Sequence, residues 1–126
     1  MALLDTTTVI DVGKGNPRAI RAVEKAGKEG GRLMLSAVVL FELSAGSPPG
    51  IDEKRKMLVQ AFGILPFGPI HAERAGVIYK ELRDAGLDIG PLDAMIAAAA
   101  ICEDEVLITS NVKHFARIKE LKIQSY

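Results

Sequence analysis

Ala2-Leu3-Leu4-Asp5-Thr6-Thr7-Thr8-Val9-Ile10-Asp11-Val12 decides how this chain folds. A short apolar run stops at an acid, and Thr6 to Val12 then carries apolar residues toward a break at Gly13-Lys14-Gly15-Asn16-Pro17. An apolar run without polar alternation describes a strand covered on both faces, as in parallel sheets lying between helices. Asp5 therefore stands at the carboxyl end of a first strand. It is also a good N-cap for a helix beginning at Thr6.

Working outward, the same alternation recurs. Arg18 to Lys28 has helical spacing, with Ile20, Val23 and Ala26 on one side and cations on another, and Gly30-Gly31 stops it. Arg32 to Leu35 reads as a second strand, and Ser36 caps an apolar helix over Ala37 to Ala45. Gly46-Ser47-Pro48-Pro49-Gly50 opens a loop, and Asp52 to Phe62 is helical again. Ile64-Leu65-Pro66-Phe67 is a third strand that Pro66 confines to an edge or a very short length.

Pro69 to Ala85 is a long helix closed by Gly86, with Ala72, Ala75, Ile78, Tyr79 and Leu82 facing inward. Pro91 introduces another over Leu92 to Cys102. Val106 to Ile108 is a fourth strand ending at Thr109, Asn111 to Lys119 a short helix, and Leu121-Lys122-Ile123 a last strand. The pattern predicts an α/β fold of three layers: about five mainly parallel strands with helices on both faces, in one domain spanning 1–126.

Composition narrows the class. Hydrophobic residues form 48% of 126, enough for a proper core. The 16 basic and 16 acidic residues cancel, so there is no strongly basic balance to argue for nucleic acid, and none is needed by a nuclease with an acidic metal site. The single cysteine, Cys102, cannot form an internal disulfide; in its apolar stretch it reads as a buried, inert thiol in a reducing compartment. Asp5 interrupts any signal-like run, and Met95 to Ile101 is far shorter than the ~20 residues of a membrane span, so the expected location is the cytoplasm.

In open α/β sheets, ligands bind beyond the carboxyl ends of the strands. Asp5 and the run Thr109-Ser110-Asn111 fall there. Glu42 lies two turns into the helix after strand two, among Val38, Val39, Ala45 and Gly46, and so faces the interior or a cleft; a place at the helix edge reaching solvent is the bland alternative. Asp93 has Ile89, Ile96 and Ala97 as helical neighbours, against the alternative of a first-turn acid serving the helix dipole. Two carboxylates ~4 Å apart repel by about 4 kcal/mol at an effective dielectric of 20, so such a cluster shares protons or binds a cation. Oxygen donors in a partly open site suit Mg²⁺ or Mn²⁺, and an activated water there could attack a phosphodiester.

Other chemistries find little support. Gly13-Lys14-Gly15 is a flexible turn rather than a P-loop, His71 reads as an exposed helix-start residue without zinc-spaced partners, and Ser36 and Ser110 lack a nucleophile elbow.

Leu3-Leu4-Asp5-Thr6-Thr7-Thr8-Val9-Ile10 resembles the opening of the PIN-domain ribonucleases. Glu42 within Phe41-Glu42-Leu43 is similar to the family's second acidic motif, and Ile89 to Ala98, around Asp93, to its third. Val106 to Phe115 and Arg117 to Ile123 resemble its closing strand–helix–strand. The ordered set covers nearly the whole chain.

The resemblance, to toxins of the VapC type in particular, implies a metal site of Asp5, Glu42 and Asp93 bearing Mg²⁺ or Mn²⁺, with Thr6 and Thr109 in support. It also implies RNA as substrate, a homodimer and a cognate VapB-type antitoxin. Lys14, Arg18, Lys113 and Arg117 are candidates for guiding RNA, with Arg21 and His114 beside them.

Two departures stand out. Thr7 replaces a common asparagine or serine. More significantly, Asn111 and His114 occupy positions where a fourth acid is common, which leaves Asn111 to act through water. The rivals are a non-catalytic PIN-like module binding RNA or protein, and an aspartyl-phosphate protein. The phosphatase form of the latter needs an acid where Thr7 stands, and the receiver form needs one near Phe67-Gly68.

Overall fold

The structure is a computed structural model that describes residues 1–46 and 52–126, with residues 52, 54 and 55 described in backbone only. In chain order the elements are β1 Ala2–Leu4, α1 Thr6–Gly13, α2 Pro17–Lys28, β2 Leu33–Ser36, α3 Ala37–Gly46 and α4 Asp52–Ala61. They continue with β3 Gly63–Leu65, α5 Pro69–Asp84, α6 Pro91–Cys102, β4 Val106–Thr109, α7 Val112–Phe115 and β5 Ile123–Ser125. The five strands pair in the order β3-β2-β1-β4-β5, and every pairing is parallel. The expected loop of Gly46 to Gly50 lies, past Gly46, outside the described residues.

That order positions the site. From β1 the chain steps outward to β2 and β3, then returns to the other side of β1 for β4 and β5. The reversal makes the gap between β1 and β4, at their carboxyl ends, the topological switch point where open α/β sheets bind ligands. Leu3, Leu4, Leu35, Leu107 and Ile108 are all but fully enclosed, which explains why these strands carry no polar alternation. Ala97 to Ala100 of α6 are also enclosed, and such small side chains let α6 pack closely on its neighbours.

Local signals hold at most boundaries. Asp5 caps α1, Asn16 caps α2 ahead of Pro17, and Ser36 Oγ accepts from the Val39 amide at 3.4 Å. The chain turns out of α5 through Gly86 at φ +73° and into α6 through Gly90 at φ +86°, angles that a side chain strains against.

Several expectations need correction. His71 is buried, not exposed: Nδ1 accepts from the Gly68 amide at 2.9 Å, and Nε2 bonds Glu103 Oε1 at 3.0 Å. It acts as a reach-back residue at the start of α5, satisfying an amide that no N-cap side chain serves. The inner stripe of α5 accordingly runs His71, Ala75, Ile78, Leu82, and Ala72 is exposed. Cys102 is only half-buried, although burial still pushes its thiol pKa upward. The helix expected over Asn111 to Lys119 stops at Phe115, because the Arg117 and Ile118 amides bond three residues back and tighten the chain into turns. The last strand is Ile123–Ser125 rather than Leu121–Ile123, with Leu121 buried as an anchor before it.

Candidate active site

Asp5 is 3% exposed, although it ends the central strand of the sheet. Its Oδ1 accepts from the Thr8 amide at 2.9 Å and lies 2.6 Å from the Thr8 hydroxyl. Its Oδ2 accepts from the Thr109 hydroxyl across the β1/β4 gap. Thr109 Oγ1 in turn accepts from the Asn111 amide at 2.9 Å, so the loop after β4 is tied to Asp5. The Thr8 hydroxyl also lies 2.9 Å from the Ile108 carbonyl, and its one proton cannot serve both oxygens.

Burial raises the Asp5 pKa above 3.8; the Thr109 and Thr8 bonds oppose the rise, and the charge of nearby Asp93 adds to it. Deprotonation therefore destabilises the folded chain. Between 3.8 and the raised folded value the native state holds the proton more tightly than the unfolded one, so stability falls as pH rises through that window. Asp5→Asn keeps an N-cap of equal quality and removes the buried charge. Measured in EDTA, the melting temperature of Asp5→Asn is expected to match the parent at acid pH and exceed it by a few degrees at pH 7. An unchanged difference across that range would mean that the charge of Asp5 is already compensated.

Asp93 sits in the first turn of α6, its side chain 26% exposed, with Oδ2 3.1 Å from His114 Nδ1. With its proton on Nδ1, His114 donates to Asp93 and fixes the rotamer of the carboxylate. Glu42 is half-buried on α3, and its Oε1 accepts from the Thr6 hydroxyl at 2.8 Å. One helical start thus touches two acids: Asp5 precedes Thr6 in sequence, and Thr6 reaches Glu42. Among the described residues no lysine or arginine pairs with Asp5, Glu42 or Asp93.

The donors are all hard carboxylate and hydroxyl oxygens, the chemistry that Mg²⁺ and Mn²⁺ prefer. Among the described residues the acids do not come together as a group of three placed to hold a metal ion. The set fits a cation that keeps much of its water, as Mg²⁺ does, rather than one needing an all-protein cage.

The remaining candidates scatter. Asn111, half-buried, precedes α7. Lys14 follows α1 and is exposed, as are Arg18 on α2 and Lys113 on α7. The Arg117 guanidinium donates to the Leu87 and Asp88 carbonyls at 3.2 Å and braces the loop before α6. Sequence reasoning missed Thr8, although its place three residues after an N-cap is a legible signal for the amide contact. It also missed the approach of His114 to Asp93, for which no local signal exists.

An α/β chain with a buried aspartate at the switch point and two further acids on flanking helices has the make-up of a PIN domain, and the PIN-domain family profile matches residues 2–121. The chain belongs to that family. It is 31% identical to the tRNA(fMet)-specific endonuclease VapC of Salmonella typhimurium, over 98% of this chain and 96% of that protein. It is 30% identical to ribonuclease VapC2 of Haemophilus influenzae, over the same shares. Among solved structures, VapBC2 of Rickettsia felis bound to a DNA fragment from its promoter superposes with a TM-score of 0.88 at 27% identity, covering 99% of this chain and 98% of that one.

Proposed function

We propose that residues 1–126 form one PIN-like domain that hydrolyses RNA phosphodiesters as a toxin restrained by a cognate VapB-type antitoxin. In this reading Asp5, Glu42 and Asp93 hold Mg²⁺ or Mn²⁺. The observation that carries it is a buried Asp5 under the charge of Asp93, at the switch point, with no lysine or arginine partner among the described residues. Carboxylates so placed persist by sharing a proton or by binding a cation. The ribonuclease names of relatives about 30% identical over nearly the whole chain support RNA as the substrate.

When bound, the ion supplies an activated water and countercharge for the phosphodiester. The residues of the chain do the positioning. Thr8 and Thr109 hold Asp5, Thr6 holds Glu42, His114 holds Asp93, and Asn111 offers an amide side chain to an ion's water. In this reading the protein works in the cytoplasm as a homodimer, as the likeness to VapC-type toxins implies. Among the described residues no helix is long and apolar enough to cross a membrane.

The absence of a three-acid group among the described residues favours a second reading, a PIN-like module that binds RNA or protein without cutting. Cleavage of a mixed RNA panel separates the two. Cutting in Mg²⁺ or Mn²⁺ that EDTA abolishes is the expected result, and a folded, antitoxin-free chain that cuts nothing with either ion would establish the binding module.

A further inference from the structure

A cavity of about 300 Å³ opens between α2 and β5, with Arg18, Arg21 and Lys25 on its helix side and Gln124, Ser125 and Tyr126 on its strand side. The cations recur at spacings of three and four, so one stripe of α2 faces the cavity. Among the described residues none of the three pairs with a carboxylate. The walls are braced: Gln124 Nε2 donates to the Ala22 carbonyl at 2.9 Å, and the Tyr126 hydroxyl donates to Asp11 Oδ2 at 2.7 Å.

Its place relative to the acids follows from strand register. Leu4 pairs with Ile108, and Ile108 with Gln124; Thr109, whose hydroxyl bonds Asp5, pairs with Ser125. The cavity therefore stands two strand spacings from the end of β1, roughly 10 Å, on the same carboxyl edge of the sheet. Tyr126 lies at the end of β5 on that edge, its hydroxyl bonded to Asp11 of α1.

We propose that this cavity is a phosphate subsite for the RNA strand, holding the backbone a short way from the bond presented to Asp5 and Asp93. The inference rests on the ribonuclease reading above. Two guanidinium forks and an ammonium, unpaired with any carboxylate among the described residues, match successive phosphates of the strand's backbone, each of which arginine grips through paired N–H bonds. Arg18, Arg21 and Lys25 are positioning residues: they set where the strand lies and take no part in bond cleavage. An acidic segment of a partner protein would meet the same charges, but the cavity's shared edge with the acidic site favours the substrate.

The test compares the parent, Arg18→Gln/Arg21→Gln/Lys25→Gln, and a control losing equal charge away from α2, Lys56→Gln/Lys80→Gln/Lys119→Gln. Cleavage of a single-stranded RNA in Mg²⁺ gives kcat and KM, and fluorescence anisotropy of the same RNA in EDTA gives affinity against salt. The subsite variant is expected to raise KM about tenfold with kcat unchanged. Its slope of log affinity on log salt should fall by about 2, near 0.7 for each phosphate no longer neutralised. The control should keep the parent's KM and slope.

Parental KM and slope in the subsite variant, with cleavage intact, would overturn the subsite and leave the nuclease reading standing. A parent that cleaves nothing would overturn the nuclease reading instead, while the anisotropy slopes still decide whether RNA occupies the cavity. If the triple variant fails to fold, Arg21→Gln carries the same readout with a slope change of about 0.7.

Discussion

Asp93→Asn is expected to slow metal-dependent RNA cleavage by more than about 100-fold while leaving the chain folded. The bound follows from metal sites in general, where losing a group that merely orients a ligand already removes 10–100-fold. Asn has the shape of Asp, and its side-chain oxygen can accept from His114 Nδ1 as Asp93 Oδ2 does at 3.1 Å. The substitution also removes a first-turn negative charge from α6, worth about 0.3–1 kcal/mol, but relieves its repulsion of Asp5, so the melting temperature should stay within a few degrees of the parent's. Initial rates in Mg²⁺ for parent and variant, alongside melting curves, measure both effects. A variant that cleaves within tenfold of the parent would exclude Asp93 from the site.

Phe115→Ala should cost more stability than truncating any other enclosed side chain. Phe115 is 1% exposed and the largest of the fully enclosed side chains. Emptying such a position costs about 3–5 kcal/mol, a large part of the 5–15 kcal/mol that holds a typical domain together. For a chain of this length the melting temperature should fall by roughly 10–20 °C.

The loss is also functional in kind. Phe115 ends the four-residue helix α7, which has only a few internal bonds and depends on this one buried ring for its position. His114 precedes it, and the Asn111 carbonyl accepts from the Phe115 amide at 3.2 Å. Cleavage assayed well below the new melting point should therefore still be impaired, because the group that holds Asp93 no longer has its anchor. Full activity at low temperature would show that His114 is not needed to position Asp93.

The place of Asp5 was legible, because the end of an apolar strand and a cap position coincide there. The half-buried setting of Glu42 and Asp93 was legible too, because an acid on an otherwise apolar helix demands an explanation. His71 and Cys102 were misjudged, since their burial depends on what packs over the start of α5 and the end of α6. The strand at Leu121 was placed two residues early for a similar reason: an isolated buried leucine looks the same whether it lies in a strand or anchors the loop before one.

The sequence by itself determined the alternation of short apolar strands with helices, most of the helix starts, and the presence of one acid at a strand end and two on apolar helices. These are local properties, set by caps, by periodicity over a few residues and by the desolvation of runs without polar alternation. Only the tertiary structure decided which acid is buried and what holds each one. Thr6 meets Glu42 across 36 residues, His114 meets Asp93 across 21, and Thr109 meets Asp5 across 104. Those meetings follow from the order β3-β2-β1-β4-β5, which brings β4 beside β1. Strand order is chosen by how the covered sheet packs as a whole, and no window of a few residues contains that information.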